Sequence, residues 1–93
     1  MMNVEDVQLE RGKTYGEFKD HMKATKAIME ELRTIHFLKD GKTKFEDNFE
    51  VALFYMVTKL VRLSTTPHHH DSALDLSSYA KLWLDEIERL ENE

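Results

Sequence analysis

The chain has 93 residues, of which 41% are hydrophobic and 33% are charged, so we expect one small globular domain with no room for a second. Its formal net charge of −5, from 18 acidic and 13 basic residues, argues against a general nucleic-acid binder. Because the sequence contains no cysteine, disulfides and thiolate chemistry are excluded.

The first residues predict a short N-terminal helix, which Asn3 can cap and in which Val4 and Val7 share a face. The same residues lack the basic and apolar blocks of a signal peptide. The longest apolar run of the chain is short and contains two cations, which disfavours a membrane span. We therefore expect a cytoplasmic protein with no membrane partner.

The segment from Arg11 to Gly16 contains two glycines, two cations and an aromatic residue, a composition typical of an ordered loop. One interpretation is a connector with solvated charges. The other is a phosphate contact, because glycine lets backbone N–H groups approach an anion while Arg11 and Lys13 supply charge beside Tyr15. The spacing does not match a Walker motif.

Two amphipathic helices are predicted after this loop. From about residue 16 to 36, apolar residues recur at three- and four-residue steps. Asp40-Gly41 is a turn signal, and Thr43 to Glu46 matches a capping box. The second helix is therefore predicted from about 44 to 64.

Pro67 cannot continue the second helix, so the chain must turn there. A third main helix is predicted after the turn, from about 72 to 91, with Asp71 or Ser72 as its cap. The connections are short, so neighbouring helices should run antiparallel. No strand pattern competes with this interpretation. The predicted fold is all-α: a small antiparallel helical bundle with three main helices and the short N-terminal helix.

The second helix contains the most apolar stretch of the chain, between Val51 and Leu63. A helix that is apolar nearly all round is expected to be central and buried. Two neighbours in a small chain cannot cover all of its faces, so we expect a homo-oligomer in which a partner protomer covers the rest.

This stretch is interrupted by two cations, Lys59 and Arg62, three residues apart on one helical face. Burying either cation unpaired would cost several kcal/mol. Asp71 and Asp75 lie four residues apart on the next helix, where they can pair with the two cations. The sequence therefore predicts a polar cluster of these four residues, flanked by His70 and Tyr79.

The histidines at 68, 69 and 70 invite a metal interpretation, but neighbours in a loop point in different directions and cannot all bind one ion with ordinary geometry. His70-Asp71 also lacks the further His and Asp ligands that a metal phosphohydrolase needs. We predict no metal ligands among them.

Several of these segments together resemble a family of small phage and prophage domains of uncharacterised function. The resemblance is carried by Arg11-x-Lys13-x-Tyr15-Gly16, Lys59-x-x-Arg62-Leu63 and His70-Asp71-Ser72-x-x-Asp75-x-x-x-Tyr79-Ala80. It extends from Arg11 to about Leu84, and Asp-Ser-x-x-Asp is its most specific part. Ser78 stands where members of the family usually have glycine.

The layout of that family is in turn similar to the all-α nucleoside triphosphate pyrophosphohydrolases of the MazG and dimeric dUTPase type. This resemblance implies an oligomeric helical bundle with magnesium held by Glu-x-x-Glu and Glu-x-x-Asp helices. Here, however, Lys59 and Arg62 lie where those enzymes need carboxylates. Glu46 and Glu50 are also four residues apart rather than three.

Three functions follow as alternatives. The favoured one is binding of a phosphate-bearing nucleotide without turnover, which needs cations, hydrogen-bond donors and aromatic rings but no cofactor and no catalytic residue. The second is magnesium-dependent hydrolysis, with Mg²⁺ held by Glu46, Glu50, Asp71 and Asp75. The third is a structural or protein-interaction role, in which the polar cluster only fixes helix register.

For nucleotide binding, the predicted ligand-binding residues are Arg11, Lys13, Tyr15, Lys59, Arg62, His70, Asp71, Asp75 and Tyr79. The phage resemblance implies a setting in the cytoplasm of a host cell. A small binder there would sequester a nucleotide signal of bacterial defence, an anti-defence role.

Overall fold

The computed structural model describes residues 3–4, 17–42 and 44–93, without the side chain of residue 47. Three helices account for most of them: α1 (Phe18–Asp40), α2 (Asp47–Thr65) and α3 (His70–Glu91). No strand occurs in these ranges. The all-α prediction and its three main helices are confirmed, whereas the predicted N-terminal helix lies outside the described residues except for Asn3 and Val4.

The three helices form a layer with α2 in the middle, because α2 packs against both α1 and α3. The core between α1 and α2 centres on Met29, Val57 and Val61, which are 2 to 6% exposed. Partly buried apolar residues surround this cluster: Ala24, Leu32, Phe45 and Leu53. The core is small for a chain of this length.

Aromatic contacts join α2 to α3. Phe49 packs against Trp83 with ring centroids 4.9 Å apart, and Tyr55 stacks on Tyr79 at 5.2 Å with an interplanar angle of 11°. Near the same junction, Asn48 Nδ2 donates to Glu86 Oε1 at 3.0 Å. These pairs align the start of α2 with the end of α3, as an antiparallel arrangement requires.

The ends of α1 and α2 differ from the predicted ends. Helix α1 continues past His36 to Asp40, and Gly41, with a φ of 71°, ends it by donating its N–H to the carbonyl of Phe37 at 2.8 Å. Glycine adopts this left-handed conformation without a steric cost, so the glycine fixes the end of the helix. Helix α2 begins at Asp47 with Glu46 at its N-cap and no side-chain capping bond, so the predicted capping box does not open it.

His69 caps α3, in place of the predicted Asp71 or Ser72. Its Nδ1 accepts from the backbone N–H of Ser72 at 3.2 Å and lies 2.8 Å from Ser72 Oγ. A ring nitrogen three residues upstream supplies the same acceptor as the usual Ser or Asp cap. Ser72 itself is 1% exposed.

Helix α2 is less buried than predicted, because in the described part of the chain it has a helix on only two of its sides. Its large apolar residues between the neighbours remain 45 to 57% exposed: Val51, Phe54, Tyr55 and Leu60.

Candidate functional site

The predicted polar cluster is represented by one ion pair. Lys59 Nζ lies 3.0 Å from Asp75 Oδ2, and the lysine side chain is only 13% exposed while the aspartate side chain is 49% exposed. The expectation that a cation in the apolar helix needs a carboxylate from the next helix therefore holds for Lys59.

Arg62 faces the other neighbour, where it lines a groove between α1 and α2. Residues three apart on a helix differ by about 60° in direction. Since α2 is flanked by one helix on each side, this difference sends Lys59 towards α3 and Arg62 towards α1.

The start of α3 carries the next two predicted residues. Asp71 and His70 are 83% and 86% exposed, and the His70 Nδ1 is 3.8 Å from Asp71 Oδ1. Tyr79, one turn beyond Asp75, stacks on Tyr55. Arg11, Lys13 and Tyr15 lie outside the described residues. The structure thus brings together Lys59 and Asp75, with Tyr79 nearby on the same junction, and leaves Arg62 on the α1 side.

Arg62 lines a concavity between α1 and α2, which we call the cationic groove. Its volume is about 460 Å³, within the range of small-molecule sites. Its lining residues are Phe18, His21, Met22, Thr25, Lys26, Met29, Arg33, Phe54, Thr58 and Arg62. A shallower extension continues past Phe54 to Val51 and Tyr55.

The charged residues among these ten are all cations, although the chain as a whole is acidic. Lys26 lies 4.0 Å from Glu30 in a solvent-exposed pair, which leaves its charge largely available to a ligand. Arg33 donates to Glu50 at 3.2 Å, and this pair joins α1 to α2 at the edge of the groove. Between the cations, the walls are formed by four apolar side chains (Phe18, Met22, Met29 and Phe54) and three polar ones (His21, Thr25 and Thr58).

His21 adds a polar group to the groove. Its Nε2 is buried and has no hydrogen-bond partner among the described residues. A buried polar atom without a partner costs about 1–3 kcal/mol. A ligand that hydrogen-bonds to this atom would offset the cost.

The α1 side of this groove was missed in the sequence, although a signal for it exists. Met22, Lys26, Met29 and Arg33 follow one another at steps of four, three and four residues, which places them on one face of a helix. Two cations alternating with two methionines on one face indicate a surface that is both apolar and positive. The contribution of Phe54 and Thr58 depends on how α2 is rotated against α1, which the sequence does not specify.

The carboxylates that magnesium binding would require do not converge. Glu50 pairs with Arg33 on the α1 side, whereas Asp75 pairs with Lys59 on the α3 side, and Asp71 points into solvent. Within the described ranges, no three His, Asp or Glu side chains are grouped so that they could hold a metal ion.

The ionisable groups with clearly shifted pKa values lie away from the groove, in the second half of α3. Hydrogen bonds from Arg89 and Asn48 lower the pKa of Glu86 to about 2. Glu86 in turn raises the pKa of Arg89, and Asp85 raises that of Lys81 through a hydrogen bond. Of these groups, Glu86 joins α3 to α2 through Asn48, whereas the Lys81–Asp85 pair is exposed and lies within α3.

Comparison of the chain with protein-family models, curated proteins and solved structures found no match. None of the described helices is long and apolar enough to cross a membrane.

Proposed function

We propose that this protein binds a phosphate-bearing nucleotide in the cationic groove without converting it. The observation that carries the proposal is the lining of the groove: among the described residues, the charged ones are all cations and four of the other seven are apolar. A nucleotide combines the two matching parts, an anionic phosphate group and a flat base. The net charge of −5 makes such a local positive site more selective for a small anion than for a nucleic acid.

Each part of the ligand has a counterpart in the groove. Arg62 and Lys26 supply charge-assisted hydrogen bonds to phosphate oxygens. Phe18 and Phe54, which are 54% and 46% exposed, offer ring faces on which a base can stack. The predicted phosphate contact of Arg11, Lys13 and Tyr15 stays a prediction. Lys13 precedes Phe18, a groove residue, by five residues. Five residues of extended chain span at most about 18 Å, which is the upper limit on the distance between the two backbones.

The absence of turnover is inferred from the groups that line the groove. Among the described residues, the one carboxylate that lines the groove or its shallow extension is Glu50, which lines the extension and is paired with Arg33, so no set of described carboxylates there is placed to hold Mg²⁺. The alternative of magnesium-dependent hydrolysis would require Glu46, Glu50, Asp71 and Asp75 to converge. A solely structural role accounts for the Lys59–Asp75 pair but not for the composition of the groove.

The phage resemblance extends the proposal to a biological role. A protein that holds a nucleotide intact removes it from solution. In an infected host cell, such a protein would sequester a nucleotide that signals defence. We also propose that the chain is a homo-oligomer, since its three-helix layer leaves large apolar residues exposed.

Titration calorimetry with a panel of linear and cyclic nucleotides, in magnesium and in chelator, tests the binding. We expect binding that persists in chelator, with the ligand recovered intact. Arg62→Gln should weaken it by about 1.5–3 kcal/mol, roughly 10- to 150-fold in Kd, the scale of a charge-assisted hydrogen bond. Lys81→Gln, which removes an exposed cation from α3, is the matched control and should bind as the parent does.

Two outcomes would contradict the proposal. Equal affinity of the parent and Arg62→Gln for every bound nucleotide would place the site elsewhere. Magnesium-dependent loss of the ligand would instead support hydrolysis.

A further inference from the structure

The three-helix layer has a second face, opposite the cationic groove. Ile28 follows Lys26 by two residues, and Ile35 follows Arg33 by two residues. Two residues turn a helix by about 200°, so each isoleucine points nearly opposite to the groove cation before it. Leu60 has the same relation to Thr58 in α2. These three residues therefore lie on the side of the layer away from the groove.

Helix α3 contributes Leu84 and Ile87 to that side. Trp83 and Glu86 contact α2, and the next residues along the chain lie about 100° further round. Tyr79 marks the groove side of α3, because it stacks on Tyr55, which lines the extension of the groove. We call the side carrying Ile28, Ile35, Leu60, Leu84 and Ile87 the apolar face.

The apolar face is exposed and carries no charge at its centre. Its five large residues are between 38% and 63% exposed, and alanines at 24, 73 and 80 lie between them on the same side. Glu31 lies at the rim. The exposed part of the five large side chains amounts to on the order of 400 Å² of apolar surface, the size of the largest patch on a typical monomer, and such patches often mark interaction sites.

We infer that a second copy of this chain docks on the apolar face, so that two layers pack back to back. This inference rests on the proposed self-association and is independent of the nucleotide. A two-fold axis places each surface patch against the same patch of the partner. If the groove lay on that axis, its cations would face the same cations of the partner. The apolar face instead has its charged residues, Glu31, Lys39 and Glu91, only at the rim, so its apolar centre can pack against itself.

The area also fits a dimer. A standard interface buries roughly 800 Å² per partner, of which somewhat more than half is apolar, and the five large side chains supply most of that share. The buried core of the isolated chain centres on only three residues. Packing two layers would add a second core, and both grooves would remain open on the outer surfaces.

Sedimentation equilibrium of the full chain tests the interface through charge substitution. We expect the parent to be dimeric at tens of micromolar and Leu60→Glu to dissociate at least roughly a hundredfold more readily, since two carboxylates would be buried unpaired. Leu74→Glu is the matched control, because Leu74 is 55% exposed against 51% for Leu60 but lies on the outer side of α3. It should dimerise as the parent does, and circular dichroism verifies that both variants fold.

A second measurement distinguishes the two faces of the layer. The chain has no cysteine, so single-cysteine variants can be cross-linked with a short bis-maleimide. Leu60→Cys should give a covalent dimer, whereas Val51→Cys, on the groove side, should not.

Three results would overturn the inference. A monomeric parent at several hundred micromolar would refute self-association altogether. A dimer that tolerates Leu60→Glu, or one that cross-links through Val51→Cys and not through Leu60→Cys, would keep self-association and reject this face.

Discussion

At the scale of single residues, the Lys59–Asp75 pair shows how an apolar helix accommodates a cation. The lysine stem lies among α2 and α3 side chains, and its side chain is 13% exposed, while the aspartate remains half exposed. The stem can therefore contribute more through packing than the charges contribute through attraction, because a partly hydrated carboxylate tolerates the loss of its partner.

We expect Lys59→Ala to lower the free energy of unfolding by about 2 kcal/mol and Lys59→Met by less than about 1 kcal/mol, because methionine keeps most of the buried stem. For a domain of this size, 1 kcal/mol corresponds to a shift in Tm of about 4–8 °C. Thermal unfolding followed by circular dichroism gives both values. Lys81→Ala, which removes an exposed lysine paired with Asp85, serves as the control and should melt as the parent does. Equal loss in the Ala and Met variants would assign the stability to the ion pair instead.

The sequence was sufficient to predict that Lys59 pairs with a carboxylate from α3. A lysine in an apolar helix needs an anionic partner, and the nearest carboxylates after it in the chain are those at the start of α3. It was not sufficient to predict which helix Arg62 faces. Arg62 points about 60° away from Lys59 around α2, and a difference of that size decides whether a side chain meets α1 or α3. It also did not reveal that His69 would cap α3. A histidine is a less common cap than the Asp and Ser beside it, so local propensity favoured the wrong residues.

At the scale of helices, the junction between the start of α2 and the end of α3 is held by Glu86. This carboxylate accepts from Asn48 in α2 and from Arg89 Nε, at 3.0 and 3.1 Å. Its side chain is 20% exposed. Arg89 and then Asn48 are the main causes of its lowered pKa, about 2 against 4.5 for an ordinary glutamate.

The lowered pKa of Glu86 predicts a pH dependence. A carboxylate whose pKa is depressed in the folded state contributes stability above its unfolded pKa, and the contribution is lost as the pH falls from about 4.5 to about 2. Glu86→Gln should therefore be less stable than the parent at pH 7, and the difference should vanish near pH 2. Urea unfolding at a series of pH values, followed by the fluorescence of Trp83, measures it. Glu91→Gln controls for removing a carboxylate from the last turn of α3, and an unchanged difference at low pH would contradict the assignment.

The existence and order of the three main helices could be predicted because each has a clear apolar period and a turn signal after it. Their ends could not be fixed to the residue. Gly41 rather than His36 ends α1, since helix propagation continues until a residue that favours the left-handed conformation. The groove between α1 and α2 depends on how two helices are rotated against each other, and helical period alone does not determine that rotation.

At the scale of the whole molecule, the layer is held unequally on its two sides. Helix α3 is joined to α2 by two aromatic contacts, the Lys59–Asp75 pair and the Asn48–Glu86 hydrogen bond. Helix α1 is joined to α2 by the buried cluster of Met29, Val57 and Val61 and, among the described residues, by the Arg33–Glu50 pair. The N-cap of α1, Glu17, makes no side-chain capping bond, whereas His69 caps α3. The first turns of α1 therefore have less to lose on opening than the first turns of α3.

We expect the start of α1 to open before the start of α3, so its first two turns should exchange amide hydrogens roughly tenfold or more faster than the first two turns of α3, which His69 caps. Native-state hydrogen exchange read by mass spectrometry measures the two helices in one experiment. Arg33→Gln should widen the difference, and Lys26→Gln, which removes a cation from an exposed pair within α1, should leave it unchanged. Equal protection of the two helices would mean that the layer opens only as a unit.

The order of the helices in the layer also bears on how quickly the chain folds. Each helix packs against the next one in the chain, through connections spanning residues 41–46 and 66–69, so its tertiary contacts close short loops. Helical proteins of this kind fold in microseconds to milliseconds. Two chains at about 10 μM that associate at roughly 10⁶ M⁻¹s⁻¹ meet only after about 100 ms. If two copies dock as we infer, the folded monomer exists for many folding times before a second copy reaches it, and during that interval the apolar face is open to a chaperone or to any other protein with a matching surface.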